Sequence, residues 1–147
     1  MIRHDLTHWP LVLSAMHGSM SPEEQLGFFS DWTAWLDRGE AFATLRIFTD
    51  TDALTRPEGG AREAKAWLQL NGERIRQLVI GMATVVPTAA LEETSRINAE
   101  KLFGVPARTF DDVNEATLWL ASLSASRGRP LTVGHVLRSL GTICKSR

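Results

Sequence analysis

The chain has a single cysteine, Cys144, and no tyrosine among its 147 residues. One cysteine excludes an intramolecular disulfide and any metal cluster built on cysteine ligands. The formal net charge is −1, so no broad positive field exists and we expect no nucleic-acid partner. The apolar runs fall far short of the roughly 20 residues that a membrane-spanning helix needs, and the N-terminus has no apolar signal core. We therefore expect a soluble cytoplasmic protein without a transmembrane segment.

Motifs that carry catalytic or cofactor chemistry are also missing. Gly59-Gly60 lies in neither a Walker-type phosphate loop nor a dinucleotide-binding pattern, and no Gly-x-Ser-x-Gly elbow is present. Metal binding needs convergent ligands, whereas the histidines are scattered at His4, His8, His17 and His135. The sequence therefore predicts no cofactor, no metal site and no enzymatic activity.

Strand and helix patterns alternate along the chain. Apolar or alternating runs predict strands within 9–20, 42–49, 78–86 and 107–110, and amphipathic runs predict helices over 21–39, 61–77, 89–103 and from 112 onward. The sequence predicts a linker over residues 122–130 and a last short helix over residues 132–144. This order predicts one α/β domain with a four- or five-stranded, mainly parallel sheet and helices packed on it. We place the domain at 1–123 and a basic C-terminal extension at 124–147.

The stretch 43–52 predicts a strand that runs into an acidic turn. Ligands and partners of open α/β sheets usually meet the fold where such a strand ends, so Asp50, Thr51 and Asp52 are candidate partner- or ligand-binding residues. The alternative is ordinary turn chemistry, because aspartate readily hydrogen-bonds its own backbone. Arg46 interrupts the strand, and we expect it to be partly exposed or paired with a nearby acid.

Five tryptophans are a second unusual feature. Phe28, Trp32 and Trp35 lie close together on the helix predicted to begin at Ser21. Aromatic side chains dominate interfaces, so this group could line an apolar pocket or a dimer face. A helix buried on two sides in the core is an equally good interpretation.

The second half of the chain resembles a known family. A buried strand ends in Val85-Val86-Pro87, a helix ends in Phe103-Gly104, and a short strand ends in Phe110. An acidic turn, Asp111-Asp112, and a helix with Glu115-Ala116 and Trp119-Leu120 follow. This pattern resembles the SpoIIAA-like branch of the STAS domain superfamily over about residues 42–123.

The resemblance implies a sheet with helices largely on one side, no cofactor, and a regulatory or binding role. In the anti-sigma-factor antagonist members, the corresponding strand ends in Asp-Ser-Ser-Gly and the second serine is phosphorylated. Here the matching residues are Asp50-Thr51-Asp52-Ala53, and a serine kinase cannot phosphorylate Asp52. The resemblance thus predicts a non-enzymatic protein-binding module without the usual phosphoacceptor, acting on a protein partner or as a homodimer. The alternative is a carrier of a lipid or small apolar molecule that uses the aromatic residues Phe28, Trp32 and Trp35.

Overall fold

The computed structural model describes residues 1–145. Five strands are formed by β1 (Ile2–Asp5), β2 (Leu11–Met16), β3 (Phe42–Phe48), β4 (Val79–Val85) and β5 (Ala107–Phe110). The helices are α1 (Pro22–Asp37), α2 (Gly60–Leu78), α3 (Leu91–Ser95), α4 (Ala99–Phe103), α5 (Val113–Ser126) and α6 (Val133–Ile143). Short 3₁₀ turns occupy Asp52–Leu54 and Thr88–Ala90. Within the described residues, no helix is both long and apolar enough to cross a membrane.

The strands form one sheet in sequence order, β1-β2-β3-β4-β5. The antiparallel pair is β1 with β2, and β2 through β5 run parallel. The predicted mainly parallel α/β sheet is confirmed, and β1 supplies its fifth strand. Because right-handed crossovers between parallel neighbours in this order return on the same side, α1 and α2 cover one face together.

Local signals account for the helix starts. The Ser21 hydroxyl accepts the Glu24 amide at 3.1 Å, and the Glu24 carboxylate accepts the Ser21 amide at the same distance. This pair of hydrogen bonds is a capping box, and it begins α1 where the sequence predicts a helix start. Asp112 likewise caps α5 by accepting the amides of Asn114 and Glu115. The helix starts predicted at 21 and 112 are therefore confirmed.

Two apolar clusters hold the layers together. Leu13 and Leu45 face α5 and α6, where they meet Leu120 and other buried side chains. Val12 and Phe42 point the opposite way, towards α1 and α2. Side chains alternate between faces along a strand, so the sheet is covered on both faces. The expectation of helices largely on one side is therefore wrong, because α5 and α6 cover the second face.

Three boundaries differ from the sequence prediction. The helix predicted over 89–103 is broken into a 3₁₀ turn, α3 and α4, because the Asn98 side chain accepts the Lys101 amide and starts a new helix. The predicted linker 122–130 begins too early, since α5 continues to Ser126. Within the predicted extension, α6 packs on the sheet through Val136 and Leu140, while 146–147 lie outside the described residues.

Candidate functional site

A cavity of about 330 Å³ lies between the sheet and the helices α1, α2 and α4. Ligand pockets typically measure about 300–1,000 Å³ and are mostly apolar with a few polar groups, so this cavity suits a small ligand. Most of its lining is apolar or aromatic and comes from Phe28, Phe29, Trp32, Ala61, Ala64, Trp67, Leu68, Ile75, Met82, Leu102 and Phe103. The remaining lining residues are Arg46, Arg56 and Lys65.

Aromatic rings from α1 and α2 build one wall. Phe29 stacks on Trp67 with ring centroids 5.3 Å apart and planes 10° from parallel. Trp32 meets Trp67 edge-on at 6.0 Å. The Trp67 indole N–H donates to the Thr33 hydroxyl at 3.1 Å, which fixes the ring orientation. The wall is thus preformed by contacts between two helices rather than by one flexible side chain.

The floor of the cavity includes part of a row of polar residues in the sheet. Cross-strand register aligns one residue from each strand, in the order His4, Ser14, Arg46, Thr84 and Thr109. Paired residues on neighbouring strands point to the same face, which here is the face of α1 and α2. We call these five residues the polar row. Its central member is the one that lines the cavity.

Arg46 lines the cavity and is partly exposed as a residue, while its Nε is inaccessible to solvent. Its Nη2 donates to the Thr84 hydroxyl at 3.3 Å, while its Nε has no hydrogen-bond partner among residues 1–145. Burial lowers the pKa of Arg46 to about 10, and repulsion from Arg56 adds to this. The side chain remains charged at neutral pH. Of the two expectations for Arg46, partial exposure is confirmed. The alternative, an ion pair with a nearby acid, is not formed, because no carboxylate of the described residues lies within 4 Å of it.

Two further cations lie at the exposed side of the cavity. Arg56 is in the loop before α2, and Lys65 is on the second turn of that helix. Both residues are exposed, and in the part of the chain that the structure describes no acidic residue lines the cavity. The cavity therefore combines an aromatic wall with a local positive field, although the whole chain is close to neutral.

The aromatic residues singled out from the sequence divide between two roles. Phe28 and Trp32 line the cavity. Trp35 does not, since it packs behind Trp32 at 5.5 Å and against the His4 ring at 4.9 Å. Burial lowers the pKa of His4, with the nearby Asp31 carboxylate acting in the opposite direction. Trp35 thus supports the wall from the core side.

The acidic turn after β3 is tied to the backbone around it. Asp50 accepts the Gly18 amide at 3.1 Å and the Ala53 amide at 2.8 Å. These hydrogen bonds hold the pKa of the Asp50 carboxyl below its usual value. Thr51 and Asp52 are exposed at the start of the 3₁₀ turn. Their binding role stays a prediction, and the observed geometry is that of a loop-fixing aspartate.

Within residues 1–145, the histidines and the cysteine form no group of three or more side chains that could hold a metal ion. His17 is buried and contacts the Thr49 hydroxyl through Nδ1 at 2.9 Å. His8 contacts the Ser139 hydroxyl at 2.7 Å. Burial raises the pKa of the Cys144 thiol, so its reactive thiolate form is disfavoured.

Sequence reasoning missed most of the cavity. No pattern in the sequence marks Phe29 or Trp67 as a site residue, and none brings the three cations together. One signal was available: Arg46 lies between the apolar residues Leu45 and Ile47 in a predicted strand. A charged residue at such a position indicates a functional role. Arg56 and Lys65 gave no comparable signal, because exposed cations are common on loops and helices.

Comparisons with known proteins add no relative to this description: no family model, no curated protein and no solved structure matches the chain.

Proposed function

We propose that this chain is a binding protein for a small, largely apolar molecule, held in the cavity between α1, α2 and the sheet. The observation that carries the proposal is the preformed aromatic wall of Phe29, Trp32 and Trp67 around a cavity of about 330 Å³. Such a wall offers stacking and apolar burial to a ring or short chain. We assign no reaction to the site.

The position of the cavity fits this role. Its lining includes Arg46, which lies near the carboxyl end of β3, and open α/β folds usually bind ligands close to the carboxyl ends of their strands. A regulatory or protein-binding role of the STAS type remains a second proposal, supported by the sequence resemblance alone. The two are compatible, because ligand occupancy can control a contact made elsewhere on a domain.

Filling the cavity tests the proposal. Ala64 lines the cavity on α2 and is half-buried, whereas Ala66 is exposed on the same helix outside it. Naphthalene-2-carboxylate and naphthalene-2-carboxamide serve as probes in isothermal titration calorimetry. We expect the native chain to bind at least one probe, Ala64→Phe to weaken that binding at least about tenfold, and Ala66→Phe to leave it unchanged.

The five tryptophan indole N–H signals provide a second readout by ¹H–¹⁵N correlation spectroscopy. A probe in the cavity shifts the signals of Trp32 and Trp67. Trp119 packs on Phe110 in the cluster on the opposite sheet face, so its signal stays in place. Absence of binding by both probes, or binding by Ala64→Phe equal to that of the native chain, would contradict the proposed function.

A further inference from the structure

Arg46 carries a buried positive charge that the described part of the chain leaves unbalanced. Its one protein hydrogen bond goes to a neutral hydroxyl, that of Thr84. No carboxylate of residues 1–145 pairs with it, and Nε lacks a partner there. Burying a charge without a counter-ion is costly, and buried charges are normally paired. Folding alone gives no reason to keep an arginine at this position.

The surrounding charges make the imbalance larger. Arg56 is close enough to disfavour the charged form of Arg46, and Lys65 adds a third positive charge to the lining. Ala61, in the first turn of α2, also lines the cavity, and the N-terminal end of a helix favours negative charge. Every charged feature of the lining therefore attracts an anion.

Water can accept hydrogen bonds from a guanidinium but cannot neutralise it. A carboxylate can do both, because its two oxygens match the planar fork of arginine. A phosphate monoester carries close to two negative charges at neutral pH, whereas among the described residues of the lining Arg46 is the one cation that is not exposed, since Arg56 and Lys65 are both exposed to solvent. A singly charged oxyanion attached to an apolar body is the better match to this lining.

We propose that the cavity takes an ionised carboxylic acid with a small aromatic or hydrocarbon body, and that Arg46 pairs with its carboxylate. The body lies against Phe29, Trp32 and Trp67, while Arg56 and Lys65 attract the acid to the cavity. This inference names the ligand class of the site and rests on the proposed binding function. It also gives Arg46 a role that the folded chain by itself does not supply.

The two naphthalene probes separate the charge from the apolar body, because the amide has nearly the shape of the carboxylate without its charge. We expect the native chain to bind naphthalene-2-carboxylate at least about tenfold more tightly than the carboxamide. Arg46→Met removes that preference and leaves carboxamide affinity within about twofold of native. Arg46→Lys retains part of the preference, since it keeps the charge without the planar fork. Arg62→Met, an exposed α2 position outside the lining, changes neither affinity.

The failures of the two proposals are distinguishable. Equal binding of both probes by the native chain overturns the carboxylate inference and leaves the cavity function standing. If Arg46→Met loses affinity for both probes equally, the carboxylate inference is also overturned, because Arg46 then only maintains the shape of the cavity. Absence of binding by both probes overturns the inference together with the proposed function.

Discussion

Replacing Arg46 with methionine should stabilise the ligand-free protein. The substitution removes the charge and keeps an unbranched apolar chain, which suits the neighbouring Met82 and Ile75 of the cavity lining. Most substitutions at enclosed positions destabilise a protein. A gain in stability here would therefore show that the charge of Arg46 lowers the free energy of unfolding. A residue kept at the expense of stability is typical of a functional site.

The size of the gain follows from the electrostatics. Lowering the pKa of Arg46 to about 10 corresponds to roughly 3 kcal/mol of unfolding free energy lost at neutral pH. The variant also loses the hydrogen bond to Thr84, worth about 1 kcal/mol. We therefore expect a net gain of about 2 kcal/mol, which for a domain of this size raises Tm by about 4–8 °C.

Urea denaturation of both proteins measures this difference, provided that the m value is unchanged. The gain must also depend on pH. Below pH 10 the folded and unfolded chains both carry the charge, so the full cost is present. As pH rises through about 10, Arg46 loses its proton in the folded state first and the advantage of Arg46→Met shrinks.

Arg62→Met is the matched control, because Arg62 is exposed on α2 and should change stability by no more than about 0.5 kcal/mol. Destabilisation of Arg46→Met by 1 kcal/mol or more, on the order of an ordinary core substitution, would refute the reasoning. It would mean that the guanidinium is adequately solvated in the folded chain. A gain that is constant from pH 7 to above 10 would refute the electrostatic cause.

Three further predictions concern the stability of the fold. Ser21→Ala removes the cap of α1 and should cost about 1 kcal/mol in urea denaturation, and an unchanged midpoint would show that the capping box is not formed in solution. Leu120 is fully buried, so Leu120→Ala should lower the free energy of unfolding by about 2–5 kcal/mol. Leu118 lies two residues earlier on α5 and is 59% exposed, so Leu118→Ala should lower it by less than about 0.5 kcal/mol. Similar losses of stability in both variants would contradict the placement of α5. Burial lowers the pKa of the His4 imidazole, so the unfolded chain binds a proton at this imidazole more readily than the folded chain does. The free energy of unfolding should therefore be retained above about pH 6.5 and fall below it. His4→Gln should flatten this acid-side loss, and an identical pH profile would remove His4 as its cause.

Local sequence patterns, such as apolar runs and helix-capping residues, predict most of the fold. The continuous apolar run that became β4 is typical of a strand buried on both faces. Ser21 and Asp112 marked helix starts because their side chains satisfy backbone amides within three residues. The strand β1 was missed, because its four residues have no apolar run and are held by pairing with β2, a contact that local sequence does not encode.

The cavity could not be predicted in the same way. Its wall joins Phe29 and Trp67, which are distant in sequence and meet only when α1 and α2 pack side by side. Alternation of side chains along a strand puts Arg46 and Phe48 of β3 on the face opposite to Leu45 and Ile47. It could not show that the partner of Arg46 on β4 is Thr84 rather than an acid, because that depends on register, which tertiary packing sets.

The polar row explains why a cavity exists where it does. Two residues earlier along the same face, the row consists of Val12, Thr44 and Met82. Val12 and Met82 pack in one apolar cluster with Phe42 and with the two tryptophans of α1. At the level of Ser14, Arg46 and Thr84 the sheet offers polar atoms that tryptophan and phenylalanine rings cannot satisfy. A fully closed α1–α2 layer over Arg46 would bury the guanidinium completely, which the unpaired charge opposes. The cavity therefore lies where Arg46 of the polar row is next to apolar residues of the same face, Met82 and Trp32 among them, and the carboxylate proposed for Arg46 is the group that would balance its charge there.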